Sequence, residues 1–418
     1  HPLWPIVGKH PDPDAPTTEG AGDRALRRIN TLRATMTPLE KWPPNLAGFW
    51  AAWTKWKTGE RAMDYTDLIV KALKELPIAP GNPKELIGDE AQDYMPLQLA
   101  LLRSWAKACH GLVLLGDDWQ CLYDYAGANP RSLLYPVLKP SQVRILRQSW
   151  RIPRAVHTYA LRQWANRLSV GMKKEFLPRT EQGCVQRIPE GAAHAPRLIG
   201  RIEKHLANGE SVALLASANF ALKSSIAELR RRGIPFANHN RLEAAEWNPL
   251  GSAGLGAGDR LTALCAARGR QSERLWDGRE LRTWATWLEA RGVFAHGGKE
   301  RVMDVDADGW YGLPMLERWL LPDAYAAFLA RLDHSSAAMG DWWRLRVQKP
   351  HQIDAAFAAR LLNIYPVSKL KEEIKLQVGT IHSFKGDEAD IVFLLPDLTN
   401  RWIAHVQSGG PQRDALWR

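Results

Sequence analysis

An aspartate and a glutamate stand side by side at Asp89-Glu90, directly after the apolar pair Leu86-Ile87 and a glycine, Gly88. A buried strand delivers acids in this way to the carboxyl edge of a parallel sheet, where α/β proteins place their ligands. Such a pair suits nucleoside triphosphate hydrolysis. The first acid can hold Mg²⁺, directly or through water, and the second can orient the attacking water. The same residues also read as a solvated acidic turn, with Asp89 or Asp93 capping a helix. A second chemical stretch runs from Leu114 to Ala128 and contains Gly116-Asp117-Asp118, Gln120, Tyr123 and Tyr125. A glutamine just past a strand can reach a terminal phosphate or the attacking water, or can serve as a cap. Tyr123 and Tyr125 lie two apart and share a face in extended chain, where they could stack on bases or pack in a core.

The elements that must position these residues alternate. Helices are expected at Ala21–Met36, Leu46–Trp56 and Asp64–Leu76, the last with Tyr65, Leu68, Ile69 and Leu73 on one stripe. A Pro/Gly-rich linker, Pro77–Pro83, leads to the strand before Asp89, and a helix follows over Met95–Ala108. Gly111–Gly116 reads as a strand buried on both faces. A short strand is expected at Val143–Leu146, then helices at Arg154–Arg167 and Ile199–Asn208. Strand Ser211–Ala216 and helix Ala221–Arg232 follow, the helix ending at Gly233, a C′ glycine. From Asn238 to about Leu370 strong strands give way to Trp-rich helical patterns, such as Leu281–Arg291 and Pro322–Leu332, after a glycine-rich loop at Gly251–Gly258. Strands resume at Leu376–Ile381 and Asp390–Leu395. This alternation argues for parallel α/β layers with a helical insertion.

The chain has 418 residues, enough for two or three domains, and a formal net charge of +11. A basic surplus favours polyanionic partners such as nucleic acid. Among the 19 tryptophans, core packing and base stacking are both expected. Cys109, Cys121, Cys184 and Cys265 have no C-x-x-C spacing, so zinc is not expected, and scattered cysteines fit a reducing cytoplasm. No secretory signal or membrane-spanning run is found, so no membrane partner is expected.

Five segments, in order, resemble the UvrD/Rep-type superfamily 1 helicases. Ile87–Asp93 with Gln98, and Gly116–Ala128, are similar to that family's Walker B and sensor segments. Leu146-Arg147-Gln148-Ser149-Trp150-Arg151 resembles Leu-x-x-Asn-Tyr-Arg. Gly379–Glu388 resembles Thr-x-His-x-x-Lys-Gly-x-Glu, and Met63–Leu68 resembles an Asp-Phe-x-Asp-Leu helix start. The resemblance runs from about residue 61 onward and weakens across the insertion.

It implies two RecA-like P-loop NTPase cores, the first incomplete, with a mostly helical inserted subdomain. The implied division is a helical accessory segment at 1–60, the first core at 61–141, the second core at 142–237 and 373–418, and the insertion at 238–372. ATP and Mg²⁺ are the implied cofactors, and single-stranded DNA and duplex junctions the implied partners. Asp89 would bind Mg²⁺, Glu90 would activate water and Gln120 would sense the γ-phosphate. Trp150 would stack on adenine in place of the usual Tyr, Arg151 would contact the γ-phosphate, and Glu388 would face the ribose. Tyr123, Tyr125, Thr380 and His382 would line the single-strand track. The resemblance implies 3′→5′ movement, and the expected location, from the cysteines, is cytoplasmic.

The sequence departs from the family at Cys121 (usually Ser) and at Ala126, where an Arg normally precedes Gly-Ala. Asp387 and Ala389 stand where Leu and Phe are usual. No G-x-x-x-x-G-K-[ST] occurs; Gly8-Lys9-His10 and Gly297-Gly298-Lys299 lack the strand, spacing and hydroxyl. A fragment is therefore expected, cut after the phosphate loop and before the arginine finger of the last motif, and inactive in ATP hydrolysis by itself. Two rivals stand beside it. One is a non-catalytic single-stranded DNA-binding module derived from a helicase. The other takes Asp117-Asp118 as the carboxylate pair of a two-metal polymerase or nuclease.

Overall fold

A computed structural model describes residues 20–123, 127–129, 138–163, 174–189, 194–241, 246–251, 255–267, 275–332 and 334–395. The described residues form two compact units, the first reaching Arg187 and the second starting at Ile188. The contacts thus group the described part of 142–187, read above as the start of the second core, with the first unit.

The first unit opens with helices α1 (Ala21–Ala34), α2 (Pro44–Glu60) and α3 (Tyr65–Glu75). Ile29 and Leu32 of α1 bury against Leu46 and Phe49 of α2, with Trp42, Trp50 and Trp53 packed around them. Helix α3 starts in a reciprocal acidic capping box. The Asp67 N–H donates to Asp64 Oδ1 at 2.8 Å, and the Asp64 N–H donates to Asp67 Oδ2 at 3.0 Å. The same two carboxylates receive Arg33 of α1 and Lys57 of α2. Arg33 Nη1 is 2.9 Å from Asp64 Oδ2 and Lys57 Nζ is 2.8 Å from it, and both cations also bond Asp67. The Trp50 ring lies 5.0 Å from the Arg33 guanidinium and 5.3 Å from the Lys57 ammonium. Two acids, two cations and one indole therefore join three helices.

Strands β1 (Glu85–Gly88) and β2 (Gly111–Leu114) pair in parallel, with Gly88 opposite Leu114. Between them runs α4 (Pro96–Ala106), whose N-terminal turn is held by Gln98 accepting the Met95 N–H. The expectation that the second strand is buried on both faces fails. Val113 is 49% exposed and Ile87, its register partner, 68%. Among the described residues nothing covers that face. The expected strand at Val143–Leu146 is also absent, and Leu146 is 85% exposed. Extended pairing begins later, at Gln148, which bridges Leu177 in parallel, and leads into α5 (Arg154–Gln163).

The second unit has a sheet of order β6-β3-β7, all parallel, among the described residues. Its strands are β3 (Val212–Ala216), β6 (Leu376–Thr380) and β7 (Ile391–Leu395). Every residue of β3 is buried, as a central parallel strand requires. Helices α6 (Ala195–Ala207) and α7 (Lys223–Arg232) pack on it through Leu198, Ile199, Ile202 and Leu229. Gly233 ends α7 in the left-handed conformation, as expected.

Between β3 and β6 lies a helical region with a tryptophan-rich core. Trp276, Trp284, Phe328, Trp342 and Trp343 are fully buried there. Backbone carbonyls satisfy the indole N–H groups of Trp276, Trp342 and Trp343. The 322–332 helix has its expected bounds, but the helix expected to reach Arg291 stops at Ala285. Beyond it Leu288 pairs with Val347, and the Glu289 N–H donates to Arg346 O at 2.9 Å, so the chain leaves the helix to form a bridge. A short antiparallel pair, β4 (Leu275–Asp277) and β5 (Trp310–Gly312), also appears where no strong strand is expected. Among the described residues, no helix is long and apolar enough to cross a membrane.

The capping cluster generates a stability prediction. Burial works to raise the Asp64 pKa, but the bonds from Lys57, the Asp67 N–H and Arg33 outweigh it and lower it to about 2. That contribution, about 2 kcal/mol, is fully present above pH 3.8 and is lost as the pH falls towards 2. Asp64→Ala should destabilise the unit by about 2–4 kcal/mol, since it leaves two largely buried cations short of a partner. Urea unfolding from pH 5 to pH 2 tests both statements. A variant whose acid sensitivity equals wild type would remove Asp64 as the source.

Candidate functional site

The acid pair sits where the sequence places it, at the carboxyl end of β1, and both side chains are exposed. Gly88 is covered by Leu114 and Tyr94, leaving no room for a Cβ there, which would fall 2.9 Å from Leu114 Cδ2. Burial first, and the Asp89 carboxylate second, push the Tyr94 hydroxyl above the ordinary tyrosine pKa. The chain then turns sharply. Glu90 has φ 51° and ψ 37°, a left-handed conformation that costs a residue with a Cβ on the order of 1 kcal/mol or more. Its N–H donates to Asp89 Oδ1 at 2.8 Å.

Gln92, two residues on, has no exposed surface at all. Its Nε2 donates to the Glu90 carboxylate, while its Oε1 accepts the Asp117 N–H at 3.0 Å. Asp117 lies in the loop after β2, which is laced to the first loop by Leu115 N–H to Gly88 O and Ala91 N–H to Leu115 O, each 2.8 Å. Gly116 makes this possible. A Cβ there would lie 2.4 Å from Gln92 Oε1 and 3.2 Å from the backbone nitrogens of Ala91 and Gln92.

The Asp117 carboxylate caps the next turn by accepting the Trp119 N–H at 3.0 Å, and it accepts Gln120 Nε2 at 2.7 Å. Lys174 bonds both Asp117 and the buried Asp118, and its ammonium lies 4.6 Å from the Trp119 ring centroid. A lysine thus stands where a two-metal reading would need a cation. Among the described residues, no three His, Cys, Asp or Glu side chains converge as a metal site.

The structure therefore joins Glu90 to Gln120 through one bonded chain. Sequence reasoning missed Gln92 within this chain and Lys174 beside it. Gln92 could have been found as a polar side chain just after the acid pair. Lys174 is 57 residues from Asp117 and has no local signal. Tyr123 is half-buried and accepts the Ala128 N–H at 3.1 Å through its carbonyl. Tyr125 lies outside the described residues.

Trp150 and Arg151 belong to the same unit. Ser149 fixes their turn, its Oγ accepting the N–H groups of Arg151 at 3.3 Å and Ile152 at 3.1 Å. Leu177 O in turn accepts the Ser149 N–H at 2.8 Å. Trp150 is 84% exposed, so its ring is presented rather than packed.

Thr380, His382 and Glu388 belong to the second unit, at and beyond the carboxyl end of β6. Thr380 is buried and caps a short turn, its Oγ1 accepting the Ser383 N–H at 3.3 Å, while His382 and Glu388 are exposed. Gly386, with φ 91°, makes the turn between them.

A family model, the UvrD/REP helicase N-terminal domain, matches residues 35–136. That span holds Asp64, the acid pair and Gln120, and the match supports a UvrD-like helicase relationship for it. A search of curated proteins returned no match.

The glycine beneath Gln92 gives a direct test. Gly116→Ala should force the loops apart and cost about 1–3 kcal/mol. Gly111→Ala, at a site with no heavy atom within 4 Å of the added Cβ, should cost nothing or stabilise slightly. Equal unfolding midpoints in urea for the two variants would show that Gln92 does not occupy this space.

Proposed function

We propose that this chain is part of an ATP-dependent 3′→5′ DNA helicase of the UvrD type, built on two RecA-like cores with a helical insertion. The observation that carries the reading is the bonded chain from Glu90 through Gln92 and Asp117 to Gln120. A water-activating acid and a phosphate-sensing amide must respond to one another, and here one buried side chain connects their loops. In this reading Glu90 is the general base and Gln120 reports the γ-phosphate.

Asp89 is an exposed carboxylate at a sheet edge, which suits Mg²⁺, an ion that keeps several of its waters. When bound, the ion neutralises phosphate charge. Trp150 offers an open indole face to adenine, Arg151 reaches the γ-phosphate, and Glu388 faces the ribose. Tyr123, Tyr125, Thr380 and His382 meet the single strand, by stacking and by hydrogen bonds to its backbone. The direction of movement rests on the family resemblance alone.

The 418 residues contain no phosphate-loop signature. That loop supplies most backbone donors to the β- and γ-phosphates and the lysine that neutralises them. Asp89, Glu90, Gln120 and Arg151 can complete such a site but do not build it. This favours, for the 418 residues by themselves, the second reading: a DNA-binding module without turnover.

Residues 1–418 should therefore release no measurable phosphate from ATP, with or without single-stranded DNA. They should still bind single-stranded DNA with an affinity that falls steeply with salt. Phosphate release and anisotropy at two salt concentrations decide the matter. DNA-stimulated hydrolysis would mean that the nucleotide site is misplaced, and no binding at low salt would remove the track. With a phosphate-loop segment supplied upstream, Glu90→Gln should keep ATP binding and lose nearly all turnover. Wild-type rates in that variant would take the base away from Glu90.

A further inference from the structure

Asn238 is 3% exposed and lies just past Ala237, which pairs with the edge of β6. The Ala237 N–H donates to Leu376 O at 3.0 Å, and the Val378 N–H donates to Ala237 O at 2.9 Å. The pairing brings Asn238 to the carboxyl end of β6. There its Nδ2 donates to Val378 O at 3.0 Å and to Ser383 Oγ at 3.2 Å. Its Oδ1 accepts the Asn240 N–H at 3.1 Å, and its own N–H donates to Oδ1 of the buried Asn248 at 2.9 Å. Asn240 Nδ2 bonds Ser383 O. Ser383 Oγ donates onward to Thr380 O at 2.9 Å. Gly379 provides the space, because a Cβ there would lie 2.4 Å from Asn238 Nδ2 and 2.3 Å from Ser383 Oγ.

The turn from Thr380 to Ser383 is thus fixed from outside by two carboxamides of another segment. We propose that Asn238, seconded by Asn240, is the positioning residue that sets Thr380 and His382 against the phosphates of single-stranded DNA. The proposal rests on the reading of Thr380 and His382 as DNA contacts and goes beyond it by naming what aims them. Asn238 does not touch the strand. It restricts a short, partly buried turn that exposes His382, so the turn's hydrogen bonds to phosphate form at a lower ordering cost. The two bonds its side chain donates are neutral and 3.0 and 3.2 Å long, and losing them loosens the hold on Ser383.

The test is anisotropy of a labelled oligothymidylate with the 418-residue chain at fixed salt. His382→Ala should weaken binding. Asn238→Ala should weaken it by a similar factor, roughly tenfold. Combining the two should add little, because a misplaced turn has already lost the His382 contact. Asn240→Ala, at an exposed position, should give a smaller loss with unchanged thermal stability, and it stands in if Asn238→Ala does not fold. Full multiplication of the losses in the Asn238/His382 double variant would mean a structural role only and would overturn the proposal. Wild-type affinity in Asn240→Ala together with Asn238→Ala, beside a weakened His382→Ala, would overturn it and leave the DNA reading standing. Unchanged binding in His382→Ala and Thr380→Val would remove the DNA reading itself, and the proposal with it.

Discussion

In both units the loops that leave the sheet are held by a buried side-chain amide standing on a glycine. Gln92 stands on Gly116 and Asn238 on Gly379, and in each case a Cβ would fall 2.4 Å from an amide atom. A carboxamide suits this place because it donates and accepts at once, so it can join two loops that each lack one partner. It does so without burying a charge, which would need its own counter-ion. The glycine is the other half of the device. It lets a side chain lie flat on the backbone just where parallel strands end and loops must diverge. Glu90 and Gln120 in one unit, and the turn from Thr380 to His382 in the other, are each anchored by one of these two contacts.

The two sheets differ in what surrounds the anchors. In the second unit β3 is buried along its whole length, with parallel partners on each side and helices packed over it. In the first unit Ile87 and Val113 are apolar, yet they face solvent among the described residues. A two-stranded parallel sheet is weak support on its own, because parallel sheets gain their stability from covered faces. The polar lacing between the loops, with Gln92 at its centre, therefore carries a larger share of the order at the acid pair than its counterpart does beside β6.

Much of this was legible in the sequence because it depends on local pattern. Short runs rich in apolar residues gave β1, β3, β6 and β7 to within a residue or two. Gly233 marked a helix end because only a left-handed residue closes it cheaply. Apart from the uncovered face of β2, the failures share one cause: pairing over distance. Val143–Leu146 has strand composition but finds no neighbour, while Gln148, a poorer strand former, is fixed by Leu177. The helix after Leu281 stops early because Leu288 meets Val347. Arg33 and Lys57 look like ordinary helix-surface cations until Asp64 and Asp67 fold onto them. Lys174 looks like any surface lysine until the loop after β2 reaches it. The acid pair, Gln120 and the Trp150-Arg151 turn could be proposed from the sequence because their neighbours in sequence single them out. Gln92, Lys174 and Asn238 act through partners that only the fold supplies.

Backbone strain marks Glu90 within the acid pair. Four described residues other than glycine have positive φ: Met36, Arg61, Asn82 and Glu90. Met36 and Arg61 lie at or just past helix C-termini, where a left-handed residue satisfies the last carbonyls, and Asn82 sits in the turn before β1. Those three have familiar local reasons. Glu90 stands at the N-terminal end of the short 3₁₀ turn Ala91–Asp93 and caps it with no side-chain bond, and glycine or asparagine would adopt its conformation with less strain. What the conformation achieves is placement: the carboxylate leaves β1 beside Asp89 yet turns towards Gln92, which links it to the loop bearing Gln120. Strain held in place by a buried amide, at the open edge of a parallel sheet, is what a site that must aim a carboxylate would show.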